Sequence, residues 1–166
     1  MNIVTARRFT RATRLLLRLP THLYDCHAGW LLGNRFLRLT HVGRKSGRRY
    51  QTMLEVVGTD KANGELVVVA GFGPSSDWVQ NINATPAAEI AIESRRFRPE
   101  HRILDETEAA AVLADYERRN RLAPIVRGVL SRLVGWRYDG SPDARRRLVQ
   151  QLPVVAFRPL RVASAL

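Results

Sequence analysis

Short segments that alternate apolar and polar residues, separated by turns that contain glycine, fill the middle of this chain and most constrain its fold. Such alternation is typical of β-strands that bury one face. The Asn63-Gly64 pair between two of these segments is a strong hairpin signal. The predicted strands are Phe36–Val42, Tyr50–Gly58, Glu65–Ala70, Ala87–Ile92, Phe97–Leu104 and Val154–Phe157. The fourth and fifth of these predict a second hairpin, so the sheet is expected to be antiparallel.

Helix signals lie on both sides of the predicted sheet and once within it. The chain is helical in pattern up to about Gly33, with a break at Pro20. Ser75–Asp77 offers N-cap residues, and Asp105–Glu108 is a capping box. The other predicted helices are Trp78–Asn83, Ala109–Arg119, Ile125–Val134 and Asp143–Gln151. This order predicts an α+β protein whose small antiparallel sheet closes into a barrel and thereby removes its edges.

The formal net charge of +12 in 166 residues indicates attraction to an anionic partner. A nucleic acid, an acidic membrane surface and a phosphorylated small molecule all fit that charge. The arginines are spread over helices and loops, without the interleaved aromatic residues of a stacking platform. We therefore expect no nucleic acid partner, although a nucleic-acid-binding module stays open as an alternative.

A single cysteine, Cys26, excludes an internal disulfide and fits a reducing compartment. The protein is therefore expected in the cytoplasm. His22 and Asp25 lie close to Cys26 in sequence, but a structural zinc site needs more ligands than these. No metal site is predicted.

Residues 1–34 are predicted to form a basic amphipathic helical segment, which we separate from a single barrel domain predicted over residues 35–166. A secretory signal is not predicted, because Arg18 interrupts the apolar run and Pro20 ends it. No segment is long and apolar enough to span a bilayer. Two interpretations stay open for the amphipathic helix: it rests on the anionic inner face of the plasma membrane, or its apolar side packs on the barrel.

A glycine-flanked turn, Gly43–Gly47, carries the first chemical signal. Arg44, Lys45, Arg48 and Arg49 stand around it with the hydroxyl of Ser46. Backbone amides, cations and a hydroxyl at one turn are typical of an anion-binding cradle for phosphate or carboxylate. The spacing does not fit a Walker A loop, and no helix follows. A solvated basic turn with no ligand is the alternative.

A second signal is the segment Val67–Trp78, where a buried strand runs into a glycine-rich loop and then a helix N-terminus. Glycines let a flat ring approach the backbone, and a helix start adds partial positive charge and amide donors. A planar heterocycle with a phosphate-bearing tail fits across the two loops. The alternative role for Trp78 is a core residue that fills the barrel.

These segments resemble a known family. Thr40–Gly47 resembles the Thr-x-x-Gly-Arg-Lys-Ser-Gly signature of deazaflavin-dependent nitroreductases, in the flavin/deazaflavin oxidoreductase superfamily. Val69–Gly73 and Trp78–Pro86 resemble two further motifs of that family, in the same order and spacing. The similarity covers roughly Leu37 to Leu160. Two departures are Tyr50, where relatives often have an arginine, and Asp77, which replaces a common proline.

The resemblance implies a split β-barrel of the FMN-binding type with flanking helices, and it implies coenzyme F420 as the cofactor. The turn and the strand after it would hold the phosphate and the acidic tail, while the glycine loop and the next helix would border the deazaflavin ring. The residues so implied are Arg44, Lys45, Ser46, Gly47, Arg48, Arg49, Tyr50, Thr52, Ala70, Gly71, Phe72, Gly73, Asp77, Trp78 and Asn81.

The resemblance also implies a reductase that transfers hydride from the reduced coenzyme to a quinone, a nitroaromatic or a similar flat electrophile. The cofactor carries the difficult chemistry, so no catalytic triad or metal is needed. Tyr138 is a weak candidate for a proton donor, and a structural role is its alternative. FMN on the same barrel is the alternative cofactor. The expected state is a monomer or a homodimer.

Overall fold

The computed structural model of the chain describes residues 36–60, 62–120 and 123–160. The predicted N-terminal helical segment lies outside these residues. The strands are β1 (Phe36–Val42), β2 (Arg49–Asp60), β3 (Glu65–Val69), β4 (Glu89–Ile92), β5 (Arg95–Phe97), β6 (Pro99–Ile103) and β7 (Val154–Pro159). The helices are α1 (Asp77–Ala84), α2 (Glu106–Arg119), α3 (Ala123–Val134) and α4 (Pro142–Gln151).

The seven strands form one antiparallel sheet in the order β5-β4-β1-β2-β3-β7-β6. Its two edge strands, β5 and β6, are separated in sequence by Arg98 alone. A sheet whose opposite edges are joined by one residue must curl until those edges lie side by side. The result is a nearly closed barrel with helices around it, which confirms the α+β class and the split β-barrel.

The second predicted hairpin is only half right. Phe97 pairs with Ile90 at the end of β5, whereas Pro99 pairs with Pro159 of β7 at the start of β6. The predicted strand over residues 97–104 is therefore two strands on opposite sides of the barrel opening. A proline lacks the amide hydrogen that a continuing ladder requires, so the pairing with β4 stops and the chain changes partners.

The barrel interior is the main core. Its residues come from β1, β2, β3, β4 and β7, and α1 closes one side with Trp78, Val79 and Ile82. Phe157 is fully buried, and its ring centroid lies 6.4 Å from that of Trp78. Each aromatic ring buried in this way removes a large apolar area from water. Helix α1 is thus a plug held by the barrel, and its position depends on barrel packing.

The outer helices pack against the opposite face of the same strands. Helix α2 begins as the capping box predicts, because the Asp105 carboxylate accepts from the backbone N–H of Glu108. The Glu108 carboxylate binds Arg102, which also binds Glu65 of β3. This bridge ties the start of α2 to the edge of the barrel. No helix among the described residues is long and apolar enough to cross a membrane.

We predict that Phe157→Ala destabilises the protein by about 3–5 kcal/mol, because it opens a cavity at the centre of the barrel. The free energy of unfolding in urea measures this loss. Ile103→Ala is the matched control, since the Ile103 side chain is 53% exposed on β6, and we expect a change of about 0.5 kcal/mol there. Equal losses for the two variants would contradict the assignment of the core.

Candidate functional site

The turn between β1 and β2 is tightly built. The amide of Gly47 donates to the carbonyl of Gly43 at 2.8 Å, and the amide of Gly43 donates to the carbonyl of Arg48 at 2.8 Å. Gly47 has φ +65°, a conformation that favours glycine. A Cβ added at Gly43 would lie 2.6 Å from Ser46 Oγ and 2.6 Å from Tyr50 Cε2. The backbone of the turn therefore favours glycine at position 47, and a side chain at position 43 would displace those of Ser46 and Tyr50.

The turn presents an exposed cationic surface. Lys45, Arg48 and Arg49 are all exposed, and none of the three takes part in a salt bridge among the described residues. Beside them, the hydroxyls of Ser46 and Tyr50 lie 3.1 Å apart. Cations that lack an internal acidic partner are able to bind an external anion.

The predicted backbone cradle is smaller than expected. The amide of Arg44 donates to Asn81, that of Gly47 to Gly43, and that of Arg48 to Ser46 Oγ at 3.3 Å. Together with the amide of Gly43, four amides at the turn are thus used within the protein. The groups of the turn that face solvent are mainly the side chains of Lys45, Arg48 and Arg49 and the two hydroxyls.

Arg44 fastens the turn to helix α1. Its backbone N–H and its Nη1 both donate to Asn81 Oδ1 at 3.0 Å, and Nη1 also donates to Asp77 Oδ1 at 3.1 Å. The two signals found in the sequence, the cationic turn and the helix that begins at Asp77, therefore meet in space. Arg44 has partners of its own, so its main role is to hold the turn.

Behind this junction lies a buried histidine that the sequence reasoning did not select. His41 Nδ1 lies 3.0 Å from Asn81 Nδ2, and His41 Nε2 lies 3.1 Å from Thr52 Oγ1. Its ring also stacks on that of Tyr50, with centroids 6.0 Å apart. Burial lowers the pKa of His41, an effect that the nearby carboxylate of Asp77 partly opposes. His41 is therefore a neutral hydrogen-bonding group at neutral pH.

The strand pattern contained a signal for His41. In a strand, residues two apart point to the same face, and His41 follows Leu37 and Leu39 at this spacing. All three are buried. A histidine on the apolar face of a strand, next to the cationic turn, is the feature that marks this position.

The glycine-rich loop leads from β3 to α1. The amide of Gly73 donates to the carbonyl of Ala70 at 2.8 Å, and the Ser76 hydroxyl donates to the carbonyl of Gly73 at 2.7 Å. Ser76 is the N-cap residue by position, but its side chain makes no bond to the helix amides. Phe72 projects from this loop and is 45% exposed, so it supplies apolar surface beside the helix start.

Four of the predicted site residues are buried: Ala70, Gly73, Trp78 and Asn81. Ala70 is fully buried, Trp78 is 7% exposed in the barrel core, and Asn81 is 3% exposed. Direct side-chain contact between these residues and a bound ring does not fit this burial. For Trp78, the alternative role as a residue that fills the barrel describes what the structure shows.

Tyr138 is also placed away from a catalytic role. It is 3% exposed, and its hydroxyl donates to the carboxylate of Glu117. Arg127 and Arg145 bind the same carboxylate at 3.2 and 3.1 Å. Burial and Glu117 raise the pKa of Tyr138 well above its ordinary value. The hydroxyl proton of Tyr138 is held by a buried carboxylate. We therefore infer that Tyr138 joins α2, α3 and α4 and does not serve as a proton donor.

Comparison with known protein families identifies the family to which this chain belongs. Residues 16–129 match the family model described as F420H(2)-dependent quinone reductase. This match spans well over half of the chain. The protein therefore belongs to the F420H(2)-dependent quinone reductase family. It is an oxidoreductase that uses coenzyme F420, as the sequence motifs predicted. Among the described residues, no cluster of potential ligands for a metal ion occurs.

Solved structures with a related architecture are more distant. An F420-H2 dependent reductase, FDR-A, is 18% identical, with a TM-score of 0.42 over 76% of this chain and 96% of that one. A pyridoxamine 5'-phosphate oxidase-related, FMN binding protein from Nostoc punctiforme is 17% identical, with a TM-score of 0.47 over 86% of this chain and 80% of that one. No curated protein matches the sequence. Because these structures are so distant in sequence and in shape, the assignment of this chain to a family rests on the match of residues 16–129 to the family model.

We predict that Gly43→Ala weakens F420 binding by roughly two- to tenfold, because a methyl group there must displace the exposed side chains of Ser46 and Tyr50, whose hydroxyls are hydrogen-bonding groups of the turn. Fluorescence titration with F420 measures the dissociation constant. Gly128→Ala in α3 is the matched control, because a Cβ at that position meets nothing within 4 Å. Unchanged affinity in Gly43→Ala would contradict a contribution of the Ser46 and Tyr50 hydroxyls to coenzyme binding.

Proposed function

We propose that this protein binds F420 at the cationic turn and reduces a quinone or a similar flat electrophile beside the glycine-rich loop. One observation carries the proposal: a turn with three exposed cations is fastened by Arg44 to helix α1. The acidic tail and phosphate of the coenzyme match the charge of that turn. The donor set of the site therefore fits F420.

Each exposed polar group at the turn has a proposed role in binding the coenzyme. Lys45, Arg48 and Arg49 bind the phosphate and the carboxylates of the tail, since guanidinium and ammonium groups bind such oxygens with strong hydrogen bonds. The Ser46 and Tyr50 hydroxyls add neutral donors at the same turn. Tyr50 thereby takes a place where the resemblance led us to expect an arginine.

In this proposal the deazaflavin ring lies beside the glycine-rich loop, on the opposite side of the contact between the turn and helix α1. Gly71 and the exposed Phe72 border it, and Asp77 lies at the helix start beside them, whereas the buried Gly73 shapes the loop. When bound, reduced F420 supplies a hydride. The protein holds the ring and the acceptor together and limits the access of water. A quinone agrees with the family name, and a nitroaromatic shares its flat apolar shape. The proton needed by the product comes from solvent, because Tyr138 is committed to Glu117.

We predict that Lys45→Ala weakens F420 binding by roughly tenfold or more, because it removes a charged hydrogen bond to the coenzyme tail. In fluorescence titrations, a deazaflavin riboside without phosphate or glutamates should bind both proteins equally. Arg118→Ala is the matched control, since Arg118 is an exposed cation of α2 that pairs with Asp115.

Equal F420 affinity in Lys45→Ala and the wild type would contradict the proposed role of the turn. A purified protein that is yellow with bound flavin and does not bind F420 would favour the FMN alternative. Binding to random DNA that weakens steeply with salt, without any binding of F420, would favour a nucleic-acid-binding module.

We also propose that the basic segment over residues 1–34 attaches the protein to an anionic membrane surface, where a lipid-soluble quinone is available. Support comes from the sequence alone, since its arginines alternate with apolar residues. The division between this segment and the barrel, and the choice between monomer and homodimer, stay predictions as well.

Deletion of the residues before Pro20 should reduce sedimentation with vesicles that contain anionic lipid and leave the F420 dissociation constant unchanged. Vesicles of neutral lipid are the control, because they lack the charge that attracts arginine. Equal binding of the full chain and the truncated chain to anionic vesicles would show that the segment packs elsewhere.

A further inference from the structure

The hydrogen bonds between the turn and the barrel assign the proton positions of His41 without ambiguity. The backbone N–H and the Nη1 of Arg44 donate only, so the Asn81 atom that faces both must be its carbonyl oxygen. The amide NH2 of Asn81 then points at His41 Nδ1, which must accept. The remaining ring nitrogen, Nε2, carries the hydrogen and donates to Thr52 Oγ1. One neutral tautomer satisfies every bond.

We propose that His41 is a positioning residue for the coenzyme: as the neutral Nε2–H tautomer it orients Asn81, which in turn holds Arg44 and the cationic turn in the shape that binds F420. This inference rests on the proposed function of the turn. His41 touches no ligand itself, because it is 3% exposed beneath Tyr50. It acts through Asn81.

Protonation of His41 breaks this arrangement. A hydrogen on Nδ1 would face the NH2 group of Asn81, so two donors would oppose each other in a buried place. Turning the Asn81 amide over relieves that contact, but it places NH2 against the two donors of Arg44. Every protonated arrangement therefore loses at least one bond between the barrel and the turn.

The charged and titratable groups that face His41 come from three elements. Asp77 of α1 favours the protonated ring, Arg44 of the turn binds Asp77 and the same Asn81, and Tyr50 of β2 stacks on the ring. The pKa of His41 lies below its ordinary value of 6.5, with burial as the main cause. F420 affinity is thus expected to be complete above about pH 6.5 and to fall as the pH drops below the lowered pKa.

The proton position can be tested before any ligand is added. Two-dimensional NMR that correlates the imidazole nitrogens with the ring hydrogens distinguishes the two neutral tautomers. At pH 8 we expect His41 to show a protonated Nε2 and an unprotonated Nδ1. A protonated Nδ1 would overturn the inference, whatever the protein binds.

The effect on the turn is tested by F420 affinity between about pH 5 and pH 8. In the wild type, affinity should fall by up to about tenfold for each pH unit below the pKa of His41. His41→Gln still offers an acceptor to Asn81 but does not titrate, so its affinity should stay close to that of the wild type at pH 8 and lose this acid dependence. His41→Leu should bind weakly at every pH.

Two variants away from His41 serve as controls. His101→Gln changes a second half-buried histidine whose pKa burial also lowers, and it should keep the acid dependence of the wild type. Asn83→Ala removes the exposed asparagine of α1 that bonds to His101, and it should keep wild-type affinity, whereas Asn81→Ala should lose it. Circular dichroism at each pH verifies that every variant is folded.

The outcomes separate this inference from the proposed function. If the wild type binds F420 and His41→Gln keeps the full acid dependence, the role of His41 is wrong and the cationic turn still binds the coenzyme. If Asn83→Ala and Asn81→Ala lose affinity equally, the chain of bonds through Asn81 is not what positions the turn. A wild type that does not bind F420 at any pH overturns both proposals.

Discussion

The side-chain amide of Asn81 is the interaction on which the site depends. It forms hydrogen bonds both with the turn, through Arg44, and with the barrel interior, through His41. A buried amide must satisfy both of its ends, so its orientation is fixed by what it meets. Because Asn81 stands on a helix that plugs the barrel, the shape of an exposed loop is set by the packing of the core.

Burial separates two kinds of residue at this site. The groups that set geometry, His41, Asn81 and Trp78, are buried, whereas Lys45, Arg48 and Arg49, which carry the charge for a ligand, are exposed. Other arginines of the chain do have acidic partners: Arg102, Arg127 and Arg145 each bind a buried carboxylate. The net charge of the chain is thus less informative than the place where cations lack acidic partners.

Much of the fold follows from the sequence because local signals agree with the final structure. β1 has the predicted bounds, and the capping box starts α2 where Asp105 predicts. The error at Pro99 arose because alternation alone does not say which strand is the neighbour. The burial of Trp78 and Asn81 could not be predicted from local sequence patterns either. A motif shows which residues occur together but not which of them reach the surface.

The distinction between buried and exposed residues also applies to the residues of the family motifs. Trp78 and Asn81, the most distinctive residues of the third motif, face the core and the turn rather than open space. Their contacts therefore determine how the turn is held against the barrel. The surroundings of the glycine loop are different: Phe72 is 45% exposed there, and Leu133 of α3 lies 3.7 Å from where a Cβ at Gly71 would be. With the ring placed beside this loop as proposed, selectivity for one electrophile over another would depend on α3 and the loop, because these groups lie outside the hydrogen bonds that hold the turn.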